Sequence, residues 1–147
     1  MSGEAPVNKL GGAIPVFRVA SVAASIEYYV GVLGFHVQWG HEGYFASVAR
    51  DRCNIFLCEG DQGHPGAWTW IGVNDAAALE AEFRAKGAKI RHTCTNYPWA
   101  LEMQVEDLDG NVLRFGSDAL RDQPFGDWLD MNGRLWPPTP GAKIIEE

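Results

Sequence analysis

The feature that most constrains the fold of this chain is a pattern of predicted elements that occurs twice. Val19 and Val73, 54 residues apart, each end an apolar run with strand character, and a helical spacing of apolar residues follows each run. Gly34 and Gly87, 53 residues apart, are the natural ends of the two predicted helices. Three short strands follow each helix. The repeat predicts two βαβββ modules in tandem.

The first module spans residues 12–60 in this interpretation. Its first strand lies in the run AIPVFRV, residues 13–19, and Ser21 then offers a helix N-cap. The predicted helix covers residues 22–33 and is amphipathic. The stretches FHVQWGHE, YFASVARD and CNIFLCEG supply three strands. The Gly- and Pro-rich stretch EGDQGHPG, residues 59–66, is the predicted linker to the second module.

The second module spans residues 67–118. It begins with a strand over residues 67–73, and Asp75 caps a helix over residues 76–86. Its last two strands form a hairpin that Asp109-Gly110-Asn111 closes. The predicted fold class is therefore α+β, with two βαβββ modules that form a cupped mixed sheet.

The remaining residues, 119–147, read as an extension of this two-module body. Trp128 and Trp136 argue against a fully disordered tail, because disordered segments contain few aromatic residues. We expect a short helix near 124–131, followed by an extended segment that packs on the body or on the partner chain of a dimer.

Composition narrows the class of partner. The formal net charge of −7 argues against nucleic acid, which requires clustered Lys and Arg, and mildly favours neutral or cationic ligands. No apolar run reaches the ~18 residues that a membrane helix requires. The odd count of three cysteines, without a CxxC motif, indicates unpaired thiols and a reducing cytoplasm.

Two motifs carry a resemblance to a known family. The stretch YYVGVLGF follows the first strand, and Pro98-Trp99-Ala100 precedes Asp107-Leu108-Asp109-Gly110-Asn111 by nine residues. Together with the paired modules, they resemble the vicinal oxygen chelate superfamily over residues 12–118. That superfamily includes glyoxalase I, extradiol dioxygenases, fosfomycin-resistance enzymes and bleomycin-resistance proteins. The last group is the most similar, although its usual signature has Gly at position 100 and Pro at position 108.

The resemblance implies where a metal would bind. Enzymes of the superfamily hold one divalent ion with His, Gln or Glu from the first and last strand of each module. Projection onto this chain gives Ile14, Leu57, Trp68 and Arg114. Three of these side chains are apolar and one is a fixed cation, so none ligates a metal. We therefore expect no metal, no other cofactor and no catalytic residue of the usual kind.

The resemblance also implies an aromatic ligand site. In bleomycin-resistance proteins, the aromatic residues that match Phe45 and Trp99 stack on the flat part of the drug. Strand alternation places Trp68 and Trp70 on one face of their strand, where they either line the cup or pack in the core or a dimer interface. Aromatic stacking adds ~0.5–1.5 kcal/mol per pair beyond burial.

Polar residues complete the candidate site. Glu102 and Gln104 share a strand face and either accept hydrogen bonds from a ligand or face solvent. Arg114 either binds a ligand carboxylate or phosphate or pairs internally with Glu102, because an unpaired buried Arg is costly.

Two classes of function follow. The first is a metal-independent, homodimeric binding protein that sequesters a bleomycin-type antibiotic or a similar planar, cationic ligand, or another small metabolite. The alternative is a glyoxalase- or dioxygenase-like enzyme with an unconventional metal site that involves His92, Glu102 or Glu59.

Overall fold

A computed structural model describes residues 7–41 and 43–138, which form two four-stranded mixed sheets, a two-stranded ribbon and two helices. This arrangement confirms the predicted α+β class with two βαβββ modules. Across the described residues, neither helix combines the length and apolarity that a membrane crossing requires.

The first module forms sheet 1. The Ser21 hydroxyl accepts a hydrogen bond of 3.1 Å from the Ala24 amide and caps the helix, as predicted. After the helix, Gly34 adopts a φ of +78°, which reverses the chain. Across the sheet the strand order is β1-β4-β3-β2, with β1 parallel to β4. The elements are β1 Val16–Arg18, α1 Val22–Gly31, β2 His36–His41, β3 Phe45–Arg50 and β4 Cys53–Cys58.

The second module forms sheet 2 in the same way. The Asp75 carboxylate accepts a hydrogen bond of 3.0 Å from the Ala78 amide, and Gly87 ends the helix region with a φ of +81°. The strand order is β5-β8-β7-β6, with β5 parallel to β8. The elements are β5 Trp68–Gly72, α2 Ala76–Ala85, β6 Lys89–Asn96, β7 Leu101–Glu106 and β8 Val112–Ser117.

Each sheet turns one face toward a hydrophobic core that both modules share. Leu57 from sheet 1 and Phe115 from sheet 2 belong to the same buried cluster, together with Tyr29 of α1 and Phe83 of α2. Because side chains alternate along a strand, the other face of each sheet points away from this core. We call these surfaces outer face 1 and outer face 2, after their sheets.

The turn between β7 and β8 ties the second module to the first. The buried Asp107 carboxylate accepts a hydrogen bond of 2.9 Å from the Tyr29 hydroxyl of α1. The Asp109 carboxylate accepts another of 2.9 Å from the Ala20 amide, just before the same helix. The Asp-x-Asp-Gly-Asn motif therefore has a structural role at the junction of the modules.

The C-terminal segment is extended, so the helix predicted near 124–131 was wrong. Pro124 lacks an amide hydrogen and Gly126 has low helix propensity, which removes the local preference for a helix. Instead, β9 Trp128–Leu129 pairs with β10 Leu135–Trp136. We call residues 118–138 the strap. Residues 139–147 of the predicted extension lie outside the described residues.

The register of β4 also corrects one projected position. Leu57 has no exposed surface and belongs to the shared core. Strand pairing places Phe56 beside Val16 in sheet 1, just as it places Arg114 beside Trp70 in sheet 2. Phe56, and not Leu57, is thus the first-module counterpart of Arg114 on an outer face.

Candidate binding site

Outer face 2 brings four of the six predicted site residues together. Trp70 of β5 lies beside Arg114 of β8, which in turn lies beside Gln104 of β7. Glu102 precedes Gln104 by two residues and therefore shares its face. Trp99 lies in the turn between β6 and β7 and contacts the same group. The four are Trp70, Trp99, Glu102 and Arg114.

The Glu102 carboxylate organises this group. It is 2% exposed and accepts hydrogen bonds from three side chains. Arg114 donates from Nε at 2.8 Å and from Nη2 at 3.1 Å, while the indoles of Trp99 and Trp70 donate to Oε1 at 2.7 Å and 3.3 Å. The internal pair of Glu102 with Arg114 is thus present, and Glu102 fixes the edges of two indoles. Its oxygens are already occupied by these donors, which leaves little capacity for a ligand amine.

The indole of Trp70 lies over two glycines, Gly72 of its own strand and Gly116 of the neighbouring strand β8. A Cβ on Gly116 would stand 2.7 Å from Trp70 Cζ2, and one on Gly72 would stand 3.4 Å from Cζ3. Gly72 and Gly116 are register partners, so together they leave a flat floor for the ring. Trp70 nevertheless remains 51% exposed, because its opposite face is open to solvent.

Trp99 is supported in a different way, by another ring. Tyr97 stacks on it with a centroid separation of 4.7 Å and an interplanar angle of 6°. Burial raises the pKa of Tyr97 to about 12, so its hydroxyl stays protonated and donates to the Asp127 carbonyl at 3.3 Å. Trp99 is 46% exposed. Two indoles whose edges meet at one carboxylate oxygen therefore each keep an accessible ring surface.

Trp68 shares outer face 2 but is covered. The Arg91 guanidinium lies 5.3 Å from the Trp68 ring centroid in a cation–π contact. Arg91 also donates to the Gln104 side chain and, at 2.6 Å, to the Asp130 carbonyl of the strap. Gln104 in turn donates to the Leu129 carbonyl at 2.9 Å. Trp68 and Gln104 are therefore occupied by contacts within the chain.

Phe45 lies on outer face 1, in a second aromatic group. Its ring stacks on Trp39 at 5.5 Å and 8°, and also meets the edge of Phe56 at 5.2 Å. Phe45 is only 7% exposed, whereas Trp39 is 47% exposed. The surface that this group presents to a ligand is therefore chiefly that of Trp39, with Phe45 as its support.

A cavity with a different lining lies elsewhere in the described part of the chain. It has a volume of about 760 Å³ and lies at the seam between the modules, between the β3–β4 turn and α2. Apolar side chains such as Leu79 and Phe83 mix there with the charged Arg50 and Glu82. Arg50 and Glu82 neutralise each other at 2.7 Å, and neither exposed indole lines this space. This cavity therefore lies at the seam, whereas the exposed indoles that Glu102 holds lie on outer face 2.

Comparison with known proteins agrees with this architecture. A model of the Glyoxalase/Bleomycin resistance protein/Dioxygenase superfamily matches residues 13–115, which is most of the chain. The chain belongs to this superfamily. No match was found among curated protein sequences.

Among solved structures of the superfamily's fold, the chain is similar to a bleomycin-binding protein from bleomycin-producing Streptomyces verticillus, complexed with copper(II)-bleomycin. The identity is 26%, the TM-score is 0.65, and the match covers 76% of this chain and 98% of that one. TioX from Micromonospora sp. ML1 is 17% identical, with a TM-score of 0.62 and coverages of 77% and 100%. A superfamily member from Nocardioides is 14% identical, with a TM-score of 0.61 and coverages of 81% and 90%. The last two show the fold alone.

The metal of the superfamily's enzymes does not fit the residues at the corresponding places. Trp68 and Phe56 carry no ligand atom, Ile14 is aliphatic, and the Arg114 guanidinium at the fourth place is bound to Glu102. Across residues 7–41 and 43–138, no three His, Cys, Asp or Glu side chains are grouped as a metal site would require.

The three residues proposed for an unconventional metal site do not converge on one point, and two of them are bound to other groups of the chain. His92 Nε2 lies 3.2 Å from the Asp127 carbonyl of the strap, and Glu102 is bound to Arg114. Glu59 follows β4 in sheet 1, with its Oε2 buried and without a hydrogen-bond partner in the described part of the chain. The three residues do not form one cluster.

Sequence analysis did not identify several residues that shape the site. Tyr97, Gly116 and Trp39 support or present the exposed rings. Glycine inside a predicted strand often marks a close approach, so Gly116 carried a readable signal. Tyr97 and Trp39 carried none that separates them from ordinary core aromatics.

Proposed function

We propose that this protein is a metal-independent binding protein that sequesters a planar, cationic small molecule, either a bleomycin-type antibiotic or a similar compound. The observation that carries the proposal is the pair of exposed indoles, Trp70 and Trp99, which one buried carboxylate holds in place. The bleomycin-binding relative supports the choice of ligand.

The indole surfaces suit this ligand class physically. A flat ring that stacks on an indole gains ~0.5–1.5 kcal/mol beyond burial, and a cationic group over the ring gains about as much again. Because Glu102 and the glycine floor fix the rings in advance, little side-chain entropy is lost on binding. The net charge of −7 attracts cations to the protein at long range.

We also propose that the protein acts as a homodimer. Outer face 2 is an open surface in the single chain, and a drug-sized ligand is normally buried over 70–90% or more of its surface. A second copy that covers this face would supply the missing wall. Outer face 1 of the partner is suitable, since it presents Trp39 over a ring support. Sedimentation velocity at micromolar concentration should therefore report a dimer.

The cellular location proposed is the cytoplasm. Cys53, Cys58 and Cys94 are all free thiols, and free thiols persist in a reducing compartment.

The function is tested by metal analysis followed by titration. Protein purified without added metal is analysed for bound metals and then titrated with copper-free bleomycin and with proflavine, a three-ring planar cation, while tryptophan fluorescence is recorded. We expect substoichiometric metal and saturable quenching by at least one ligand. Trp136→Phe, which alters an exposed indole on the strap, is the matched control and should bind as the unmodified chain does. One tightly held metal ion per chain, or no quenching by either ligand, would contradict the proposal.

A further inference from the structure

The strap contributes a wall to outer face 2. It runs antiparallel to β6: Asn96 binds its beginning, through the Leu120 amide and carbonyl at 2.8 Å each. The Gly126 amide donates to the Asn96 carbonyl at 2.9 Å. Farther along, the Leu129 carbonyl accepts from Gln104 of the interior strand β7. The strap therefore lies along the edge of sheet 2 and then over its outer face.

The strap also forms hydrogen bonds with the polar side chains on the β6–β7 half of sheet 2. Carbonyls of Asp127, Leu129 and Asp130 face His92, Tyr97, Gln104 and Arg91 and satisfy these side chains. What remains open is a strip that reaches from β5 to β7, with Trp70 and Trp99 as its exposed rings. Since neighbouring strands lie about 4.8 Å apart, this strip is about 10 Å wide, the width of a few fused rings.

The strap lies outside the part of the chain that the superfamily shares. The family model ends at residue 115, before the strap begins. The match to the bleomycin-binding protein covers 98% of that protein but only 76% of this chain, so about a quarter of this chain has no counterpart there. A ligand-contacting wall that is added to a shared fold is a means of changing ligand selection without altering the fold.

We infer that the strap is a specificity element that limits the ligand to a compact planar cation and disfavours the extended arms of a bleomycin-sized glycopeptide. The inference rests on the proposed function of outer face 2. An extended ligand would need the β6–β7 half of outer face 2, but the strap already covers that surface. The strap carbonyls also accept hydrogen bonds from the Arg91 and Gln104 side chains, so these donors are not available to a ligand.

The test compares two ligands on strap variants of the full chain. In Asn96→Ala/Gln104→Ala, the side-chain bonds to Leu120, Gln123 and Leu129 are lost. A second variant, Gly126→Ala, changes no polar side chain but brings a Cβ within 2.4 Å of Thr95 Cγ2, which displaces the strap from β6. Met131→Ala, at a strap residue that is 73% exposed, is the matched control. Hydrogen exchange over residues 118–138 reports release of the strap, and calorimetry gives the affinities for proflavine and copper-free bleomycin.

We expect the unmodified chain to bind proflavine about tenfold more tightly than bleomycin, and both release variants to narrow that ratio by about tenfold because bleomycin affinity rises. Met131→Ala should leave the ratio unchanged. The inference would be overturned if the ratio of the two affinities stayed constant although hydrogen exchange shows that the strap is released. It would also be overturned if neither release variant exchanged faster than the unmodified chain over residues 118–138. If neither ligand binds any of the proteins, the proposed function fails, and the specificity role fails with it.

Discussion

The two outer faces carry aromatic groups of similar size, yet they are built on different principles. On outer face 1, Trp39 and Phe45 stack in parallel, so each ring covers one face of the other. On outer face 2, Trp70 and Trp99 do not stack together; each rests on its own support and turns its N–H to Glu102. The first arrangement leaves one ring exposed, that of Trp39, whereas the second keeps two exposed rings whose edges a buried carboxylate holds.

The difference teaches that the number of aromatic residues on a surface does not identify a binding site. An isolated exposed indole rotates and collapses onto its neighbours, because apolar surface is removed from water in that way. A buried acceptor that binds the indole edge prevents this collapse and fixes the plane of the ring. Glu102 is such an acceptor, whereas among the described residues no carboxylate accepts a hydrogen bond from the Trp39 indole of outer face 1.

The largest expected effect comes from removing Glu102. Glu102→Ala should weaken ligand binding by about 100-fold, because both indoles and Arg114 lose their common partner. Breaking a buried ion pair costs roughly 3–5 kcal/mol, and since the Arg114 side chain is 33% exposed, we expect a loss of only about 2 kcal/mol in the free energy of unfolding. Titration and urea denaturation measure the two effects. Glu106→Ala, on the same strand, is the control; equal losses of binding in both variants would show that Glu102 has no special role.

A smaller effect distinguishes the exposed indoles of the two faces. Trp99→Ala should lower affinity about tenfold through lost stacking and burial, whereas Trp39→Ala should lower it less than about threefold. Fluorescence of the ligand itself is the readout, because both variants change the tryptophan signal. Equal losses would break the comparison, because they would show that Trp39 contributes as much to binding as an indole that Glu102 holds.

A still smaller effect concerns the floor beneath Trp70. Gly116→Ala would place a Cβ 2.7 Å from the indole and should tilt the ring, which we expect to reduce affinity about fivefold. Gly72→Ala, at its register partner, meets the same ring at 3.4 Å, an ordinary contact, and should change affinity less than twofold. If the two variants behave alike, the fit of the ring to its floor does not determine binding.

No effect on binding is expected from the opposite side of sheet 2. Burial would raise the pKa of Glu80, but hydrogen bonds from the Cys94 amide, the Thr93 hydroxyl and Arg84 outweigh it and lower the pKa to about 2. A carboxylate with a lowered folded-state pKa stabilises the protein above its unfolded value of 4.5, and this contribution is lost as the pH falls toward 2.

Glu80→Gln should therefore destabilise the protein at pH 7 by about 2 kcal/mol and flatten its acid unfolding between pH 4.5 and 2, with unchanged ligand affinity at pH 7. Thermal unfolding across this pH range and one titration at pH 7 suffice. A loss of affinity as large as that of Gly116→Ala would show that the two sides of sheet 2 are coupled.

The fold was accessible from the sequence because its signals are local. Ser21 and Asp75 cap the helices where the sequence places them, and Gly34 and Gly87 take the left-handed conformation that ends each helix region. The projection to Leu57 failed because it counted three residues forward from Asn54, just as it counted three forward from Asn111 to reach Arg114. Asn54 lies inside β4, whereas Asn111 precedes β8. A shift of one residue along a strand exchanges its two faces.

The sequence by itself determined the repeat, the helix limits and the identity of the residues on outer face 2, since caps, turns and strand alternation act over a few residues. Only the tertiary structure decided how those residues are used. Glu102 meets Trp70 across strands that lie far apart in sequence, and the strap remains extended because donors on β6 and β7 bind its carbonyls. Long-range hydrogen bonds of this kind leave no periodic trace in a sequence, because the chain must fold before the two partners become neighbours.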